Sequence, residues 1–409
     1  MRILWVNNIF LHPTTKGGQI RTLEMLRRLH SRHEIHYVAF DDGESPEAVP
    51  RSKEFCTAVY PVQFTIAGKS SPQFYGQLVN GFVSSIPVVV ARKQSPKMRS
   101  EIDRLLGQHK FDSVVCDFLT PAVNFRSFHD VVLFQHNVET TIWDRRAENA
   151  RDPLEGWFLR RQAKLVREYE GRKCREAAHV AAVSEEDAQR MRDMFGVDQV
   201  TPIPTGVDIE QFSPPSPLPA GLPVAELVFV GSMDWLPNVD GMRWFIREVL
   251  PRIREQRPDC RVTIAGRKPS EEVLGWAKQD PRTTVTGTVP DIRPYLWGSA
   301  VSIVPLRIGG GTRLKIYEAM AAQVPVVSTA IGAEGLSIDP PRNIRIADAA
   351  EDFARDCLRL LDSPAEREAI ANAAFDMVAG QFSWEQVTRL FEDILLAHPY
   401  RYPKTLTGR

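Results

Sequence analysis

The chain has 409 residues, roughly two to three times the length of one ordinary domain, so two domains are expected and a single small module is excluded. Lysine plus arginine and aspartate plus glutamate both number 51, which leaves no net field to draw in nucleic acid, and any basic site must be local. With 43% hydrophobic and 25% charged residues the composition is that of a compact globular protein, not a disordered or fibrous one.

The opening MRILWVNN holds a short apolar stretch interrupted by Asn7 and Asn8, with no small-residue cleavage site after it, and reads as a first buried strand. From there short Val- and Ile-rich runs alternate with amphipathic stretches, the pattern of β-α units feeding a parallel sheet. Strands are predicted at RILWVNN, EIHYVAF, TAVYPV, DSVVCDF, DVVLFQHN and HVAAVS, and helices over 19–31, 97–108, 156–177 and 185–195. Asp41-Asp42, ending the second strand before Gly43, reads as a turn and not as a metal motif. Residues 65–95 give no clear assignment, although QFYGQLVNGFVSSIPVVV admits a helix with an apolar face. The longest apolar runs, such as IPVVVA at 86–91, fall far below the roughly 20 residues needed to cross a bilayer. The helix WFLRRQAKLVREYEGRKCREAA at 157–178 alternates its basic residues with acids; it is read as a solvated interdomain helix, with peripheral contact to the inner membrane face as its second reading.

Five prolines in FSPPSPLPAGLPVAE at 212–226 forbid helix and central strand, so this stretch is expected to be a stiff connector. The alternation then restarts with ELVFVGS, CRVTIAGR, TTVTGTV, VSIVPLR and VPVVSTA, each apolar on both faces as a covered parallel strand should be. Beyond 349 the pattern is helical. The fold class is therefore α/β, with two doubly wound domains. The five cysteines are dispersed and contain no C-x-x-C pair, which argues against a disulfide framework and a thiolate zinc site and fits a reducing cytoplasm.

The chemistry concentrates in 301–336. A buried strand runs into Gly309, Gly310 and Gly311, whose bare backbone lets a ligand approach, and Thr312 is placed to cap the helix that follows. Free N–H groups at that junction favour an anion, and Arg313 and Lys315 add two cations in the first turn, where they oppose the helix dipole and suit a bound diphosphate. Glu318 shares a face with Lys315, one turn deeper, where it can accept ribose hydroxyls. The alternative for these residues is a flexible turn and a solvated face carrying an i,i+3 ion pair.

These segments resemble a retaining family 4 glycosyltransferase of GT-B architecture. The resemblance spans nearly the whole chain: KGGQIRTLEMLRRL after the first strand, FQHN at 134–137, VSEEDAQRM at 183–191, PTGVDIEQF at 204–212, FVGSMDWLPNVDG at 229–241 and GGGTRLKIYEAMAAQVPVV at 309–327. It implies two Rossmann-like domains facing a cleft: an acceptor-binding domain over 1–208, completed by a crossover helix at 384–397, a linker over 209–223 and a nucleotide-sugar-binding domain over 224–383. Gly17 and Gly18 match the glycine pair whose backbone lies against the donor, and Arg21, one turn further along, is a secondary donor residue whose default is simple exposure. His136 matches the histidine beside donor sugar and acceptor, orienting hydroxyls; its local polar partners in sequence are Asn137 and Glu139.

Glu318 matches the second member of the family's paired glutamates, whereas the first falls at Gly310, so the pair is broken. Many relatives also carry an arginine and a lysine where this chain has Ser232 and Asn238, and Arg313 with Lys315 is expected to take over the phosphate charge. Asn238 is placed as a helix cap near the diphosphate, Gly231 as an opening for the nucleotide, and Trp235 either lines the cleft or packs a loop. The expected activity is retaining, metal-independent transfer of a sugar from a nucleoside-diphosphate donor, with no further cofactor, to a saccharide or lipid-linked saccharide acceptor. A nucleotide-sugar epimerase or hydrolase, or a non-catalytic nucleotide-sugar-binding protein, is the alternative.

Overall fold

The computed structural model describes residues 1–14, 17–64, 85–148, 150, 152–222, 225–308 and 314–402. Internal contacts divide the chain into two units, Met1–Pro204 with Val387–Arg409, and Thr205–Gln386. The division falls at Pro204, ahead of the proline-rich stretch, because the carbonyls of Gln211 and Phe212 are held by Arg293 (3.1 Å) and the Trp297 indole (2.7 Å) of the second unit.

In the first unit the described strands are β1 (Arg2–Val6), β2 (Glu34–Asp41), β3 (Ala58–Gln63), β4 (Ser113–Asp117), β5 (Val132–Phe134), β6 (His179–Ala182) and β7 (Val200–Pro202). They form a parallel sheet in the order β3-β2-β1-β4-β5-β6-β7, with Leu4 paired to His36 on one side and Val114 on the other. The strands read as apolar on both faces because helices cover both, and Leu4, Val6, Val38, Val114, Leu133 and Val180 are fully buried. Strand β7 escapes a pattern search because it is three residues long and ends on Pro202, which only an edge strand tolerates.

Helix starts follow local chemistry. Asp152 accepts from the amides of Leu154 (3.0 Å) and Glu155 (2.9 Å), and Pro153 opens the turn, so the long helix Pro153–Glu176 begins three residues before the apolar pattern does. The Asp41-Asp42 pair does make a turn: the Gly43 and Glu44 amides donate to the two aspartate side chains at 3.0 Å. The helix Trp384–Ala397 carries the chain onto the first unit, where Phe391 packs on Trp5 and Phe134 with ring centroids 5.6 and 4.9 Å away, and Glu392 pairs with Arg32 and His33.

In the second unit β8 (Ala225–Val230), β9 (Val262–Ala265), β10 (Thr283–Gly287), β11 (Ser299–Val304), β12 (Val326–Ser328) and β13 (Arg345–Ile346) form a parallel sheet in the order β10-β9-β8-β11-β12-β13. Leu227, Phe229, Ile264, Ile303 and Val327 fill its core. One expectation needs correction here: β10 is half-exposed, because as an edge strand it is covered on fewer sides than its neighbours. The two-residue β13 is too short to announce itself in sequence.

Candidate functional site

In an open parallel sheet, ligands gather beyond the strand ends where the winding direction reverses. That point lies between β8 and β11 in the second unit and between β1 and β4 in the first. The predicted residues that the structure describes collect at these two places.

In the second unit, Gly231 follows the last residue of β8 and the helix Leu314–Ala321 follows β11, with Lys315 in its first turn. The Lys315 ammonium donates to Asn238 Oδ1 at 2.9 Å and lies 4.3 Å from the centre of the Phe229 ring, so it is turned toward the end of β8. Gly231 has a physical reason to be glycine: a Cβ would stand 2.7 Å from Lys315 Nζ and 2.9 Å from Asn238 Nδ2. Asn238 is not the helix cap that its place after Pro237 suggests. Proline favours the first turn, so the helix Leu236–Trp244 starts earlier, and Trp235 occupies the cap position. Asn238 instead folds its side chain back, donating from Nδ2 to the Ser232 carbonyl at 2.8 Å. Glu318 follows Lys315 by one turn; burial pushes its carboxyl up to about 7, with Lys315 pulling the other way. Trp235 is 56% exposed, so it does not pack its loop. Gly309, Gly310, Gly311, Thr312 and Arg313 lie outside the described residues.

In the first unit, the helix Gly17–His30 opens on the glycine pair. Among the described residues a Cβ on Gly17 would meet nothing within 4 Å, but one on Gly18 would come 2.8 Å from Phe118 Cζ and 3.6 Å from His136 Nδ1. Phe118, just past β4, holds φ at 71°, an uncommon backbone state for an aromatic residue, and stacks on the His136 ring at 4.0 Å. The partner of His136 is neither Asn137 nor Glu139 but Asp117, whose Oδ1 lies 2.7 Å from Nε2. Asp117 is fully buried, and its Oδ2 accepts from Trp5 Nε1 (3.0 Å), Asn7 Nδ2 (2.7 Å) and Thr22 Oγ1 (2.8 Å). Surrounded by donors, this carboxylate accepts from His136 as well, which puts the imidazole proton on Nε2 and leaves a lone pair on Nδ1 beside Gly18. Burial lowers the His136 pKa, with Asp117 opposing and Arg21 reinforcing, so a neutral acceptor is favoured.

Arg21 departs from its exposed default. It is 2% exposed, donates to the Ile203 carbonyl, and places its guanidinium 4.6 Å from the Phe134 ring centre. Burial lowers it to about 9, so it stays charged at neutral pH, while Nε and Nη1 have no hydrogen-bond partner among the described residues. Sequence reasoning also missed Glu170. From the long helix it accepts the amides of Glu139 (2.9 Å) and Thr140 (2.7 Å), closing the start of the helix Glu139–Glu148.

Among the described residues no three acidic, histidine or cysteine side chains come together to hold a metal, and no helix is long and apolar enough to cross a membrane. The five cysteines are buried and unpaired.

Against known proteins, the family described as Glycosyltransferase Family 4 matches residues 15–211, and the family described as Glycosyl transferases group 1 matches residues 225–363. Among curated relatives, a Klebsiella pneumoniae protein named an uncharacterized 44.6 kDa protein in the cps region is 27% identical over 39% of this chain and 43% of its own length. A Corynebacterium glutamicum protein named GDP-mannose-dependent monoacylated alpha-(1-6)-phosphatidylinositol monomannoside mannosyltransferase is 25% identical over 53% of this chain and 61% of its own. The chain thus spans about half the length of the curated relatives it matches. Among solved structures, Anabaena HepE in complex with UDP superposes with a TM-score of 0.66 at 13% identity, covering 97% of this chain and all of that one.

Proposed function

Because the chain belongs to the family 4 glycosyltransferases of GT-B fold, we propose that it moves a sugar from a nucleoside diphosphate to an acceptor hydroxyl, keeping the anomeric configuration and using no metal ion. The observation that carries this reading is Lys315, whose ammonium is aimed at the bare backbone of Gly231 at the point where the second sheet reverses. An ammonium held there stabilises charge on the departing diphosphate without reorganising during the reaction. Arg313 would add a second charge, and Gly310, Gly311 and Thr312 would offer backbone and hydroxyl donors to the same phosphates. Glu318 would receive ribose hydroxyls, and Asn238 would hold Lys315 in place. In the first unit, Gly17 and Gly18 would give the donor unhindered backbone, and the Nδ1 lone pair of His136 would accept from a sugar hydroxyl. Arg21, lying beneath them, would act on the donor only through these neighbours. The leaving phosphate would take the acceptor's proton on the same face, so that no covalent sugar-enzyme intermediate forms.

The names of the Corynebacterium and Klebsiella relatives, one GDP-mannose-dependent and one from a cps region, support a nucleotide-sugar donor and a role in building a cell-surface polysaccharide or glycoconjugate. We place the protein in the cytoplasm. Exposed Leu154 and Trp157 at the start of the long helix support peripheral contact with the inner membrane face, where a lipid-linked saccharide acceptor would be met. Titration of the protein with UDP, GDP and ADP, followed by their sugar conjugates with and without saccharide acceptors, tests the reading. One diphosphate is expected to bind, and Lys315→Ala to weaken it about 10-fold or more. Unchanged affinity in Lys315→Ala would remove the site, donor turnover without acceptor would make the protein a hydrolase or epimerase, and binding without any turnover would make it a sensor.

A further inference from the structure

We propose that Arg267 is a further cationic contact for the donor diphosphate, beside Lys315 and Arg313, reaching the site from the strand on the far side of β8. The proposal deepens the reading of that site as a nucleoside-diphosphate site and rests on it.

Strands β8 and β9 end level with each other, Val230 opposite Ala265. The backbones continue in register past the strand ends, Gly231 N donating to the Ala265 carbonyl at 3.0 Å and Met233 N to the Arg267 carbonyl at 2.9 Å. Arg267 is therefore fixed against the loop that follows Gly231. Its Nε donates to Ser232 Oγ at 2.8 Å. Ser232 sends its own hydroxyl proton to Asp234, which leaves an oxygen lone pair for the guanidinium. The Asp234 charge is felt by Arg267 and, less, by Lys268, whose Nζ lies 3.8 Å from Oδ2. Among the described residues Arg267 itself has no carboxylate within ion-pair distance.

From the other flank, Lys315 reaches the same residue through Asn238, which donates to the Ser232 carbonyl. Ser232 is thus gripped on its hydroxyl by a guanidinium and on its carbonyl, one residue removed, by an ammonium. Two cations from separate elements converge on one turn, next to a glycine that leaves the backbone bare. An anion bound beside this turn would meet positive charge from both flanks. With Nε committed to Ser232, the two terminal nitrogens of Arg267 present the fork that suits phosphate oxygens, which a lone lysine does not supply.

The test is calorimetric titration of wild type, Arg267→Met, Arg267→Lys and Lys315→Ala with UDP, GDP and ADP and with uridine, guanosine and adenosine. For the base that wild type binds, Arg267→Met is expected to weaken the diphosphate about 10-fold, leave the nucleoside unchanged and leave the unliganded melting temperature unchanged. Arg267→Lys should recover part of the loss. If Arg267→Met binds the diphosphate like wild type while Lys315→Ala does not, the Arg267 proposal falls and the diphosphate site stands. If the variant loses nucleoside and diphosphate equally, Arg267 shapes the loop rather than touching phosphate, and the proposal falls. If wild type binds none of the six, both readings fall together.

Discussion

The two sheet-reversal points solve opposite problems. In the first unit the Asp117 carboxylate is buried and satisfied, taking hydrogen bonds from Trp5, Asn7, Thr22 and His136, and that arrangement holds one lone pair in place. In the second unit Lys315 and Arg267 converge on a half-open loop and are held by neutral groups, Asn238 and Ser232. A closed network of this kind holds one acceptor in a fixed direction, whereas cations held by side-chain hydrogen bonds at a half-open loop are placed where an anion can reach them. Substitutions in the first unit should therefore appear mainly in stability and in turnover, and substitutions in the second unit mainly in ligand affinity.

The strongest way to break that contrast is Asp117→Asn. The amide oxygen can still receive Trp5, Asn7 and Thr22, but its NH2 then faces His136 and pushes the imidazole proton onto Nδ1. The acceptor beside Gly18 becomes a donor. Turnover is expected to fall about 10²-fold with the loss of one positioned hydrogen bond, and unfolding free energy to be lower by about 1–3 kcal/mol. Imidazole nitrogen NMR reports the tautomer directly, and a variant that keeps both its activity and the Nε2–H form would dismiss His136 as an oriented acceptor.

Next in size is a pH effect confined to the first unit. Burial pushes Glu170 up to about 7, against the pull of the bonds from Thr140 and Glu139. Unfolded glutamate ionises near 4.3, so between that value and about 7 the folded chain binds the extra proton. The favourable contribution is complete below that window and is lost as pH rises through about 7, on the order of 3 kcal/mol in all. Urea midpoints from pH 5 to 8 should fall for wild type, and Glu170→Gln should flatten the slope. Parallel curves for the two proteins would show that Glu170 ionises normally despite its burial.

What could be read from sequence divides along the same line. The alternation of apolar runs and amphipathic stretches reveals both sheets, and Gly18, His136, Gly231 and Lys315 stand close to the motifs that mark them. Asp117 was hidden. In DSVVCDF it is merely the residue that ends an apolar strand, and its partners Trp5, Asn7 and Thr22 lie 112, 110 and 95 positions away. Only the strand order brings them together. Arg21 misled for the same reason: helical spacing says which face a residue is on, but the Phe134 ring and the Ile203 carbonyl that bury it come from β5 and from beyond β7. Asn238 was misjudged by a turn because a proline at the head of a helix moves the start upstream.

A smaller effect sharpens the second unit's side of the contrast. In Gly231→Ala the new Cβ would displace Lys315 Nζ and press on the buried Asn238 amide and Phe229 ring, so the folded state should lose about 1–2 kcal/mol. Diphosphate affinity should nevertheless drop about 10-fold as the ammonium leaves its aim. A stability loss of several kcal/mol at unchanged affinity would put Gly231 among the packing residues, and the distinction between the two regions would collapse.

The smallest expected effect separates the members of the first glycine pair. Gly18 is pinned under Phe118 and beside His136, whereas a methyl on Gly17 meets no atom of the described residues within 4 Å and the residue opens a helix. Gly17→Ala should therefore change unfolding free energy by less than about 1 kcal/mol, in the stabilising direction that helix propensity gives alanine over glycine. Gly18→Ala must move an aromatic ring already held at positive φ, and should cost more. Thermal unfolding of the two variants compares them without any ligand, and adding the donor separates two roles. If Gly17→Ala folds as well as wild type and still loses donor affinity, a ligand passes within a methyl's reach of Gly17; if affinity is kept, the donor contact narrows to Gly18.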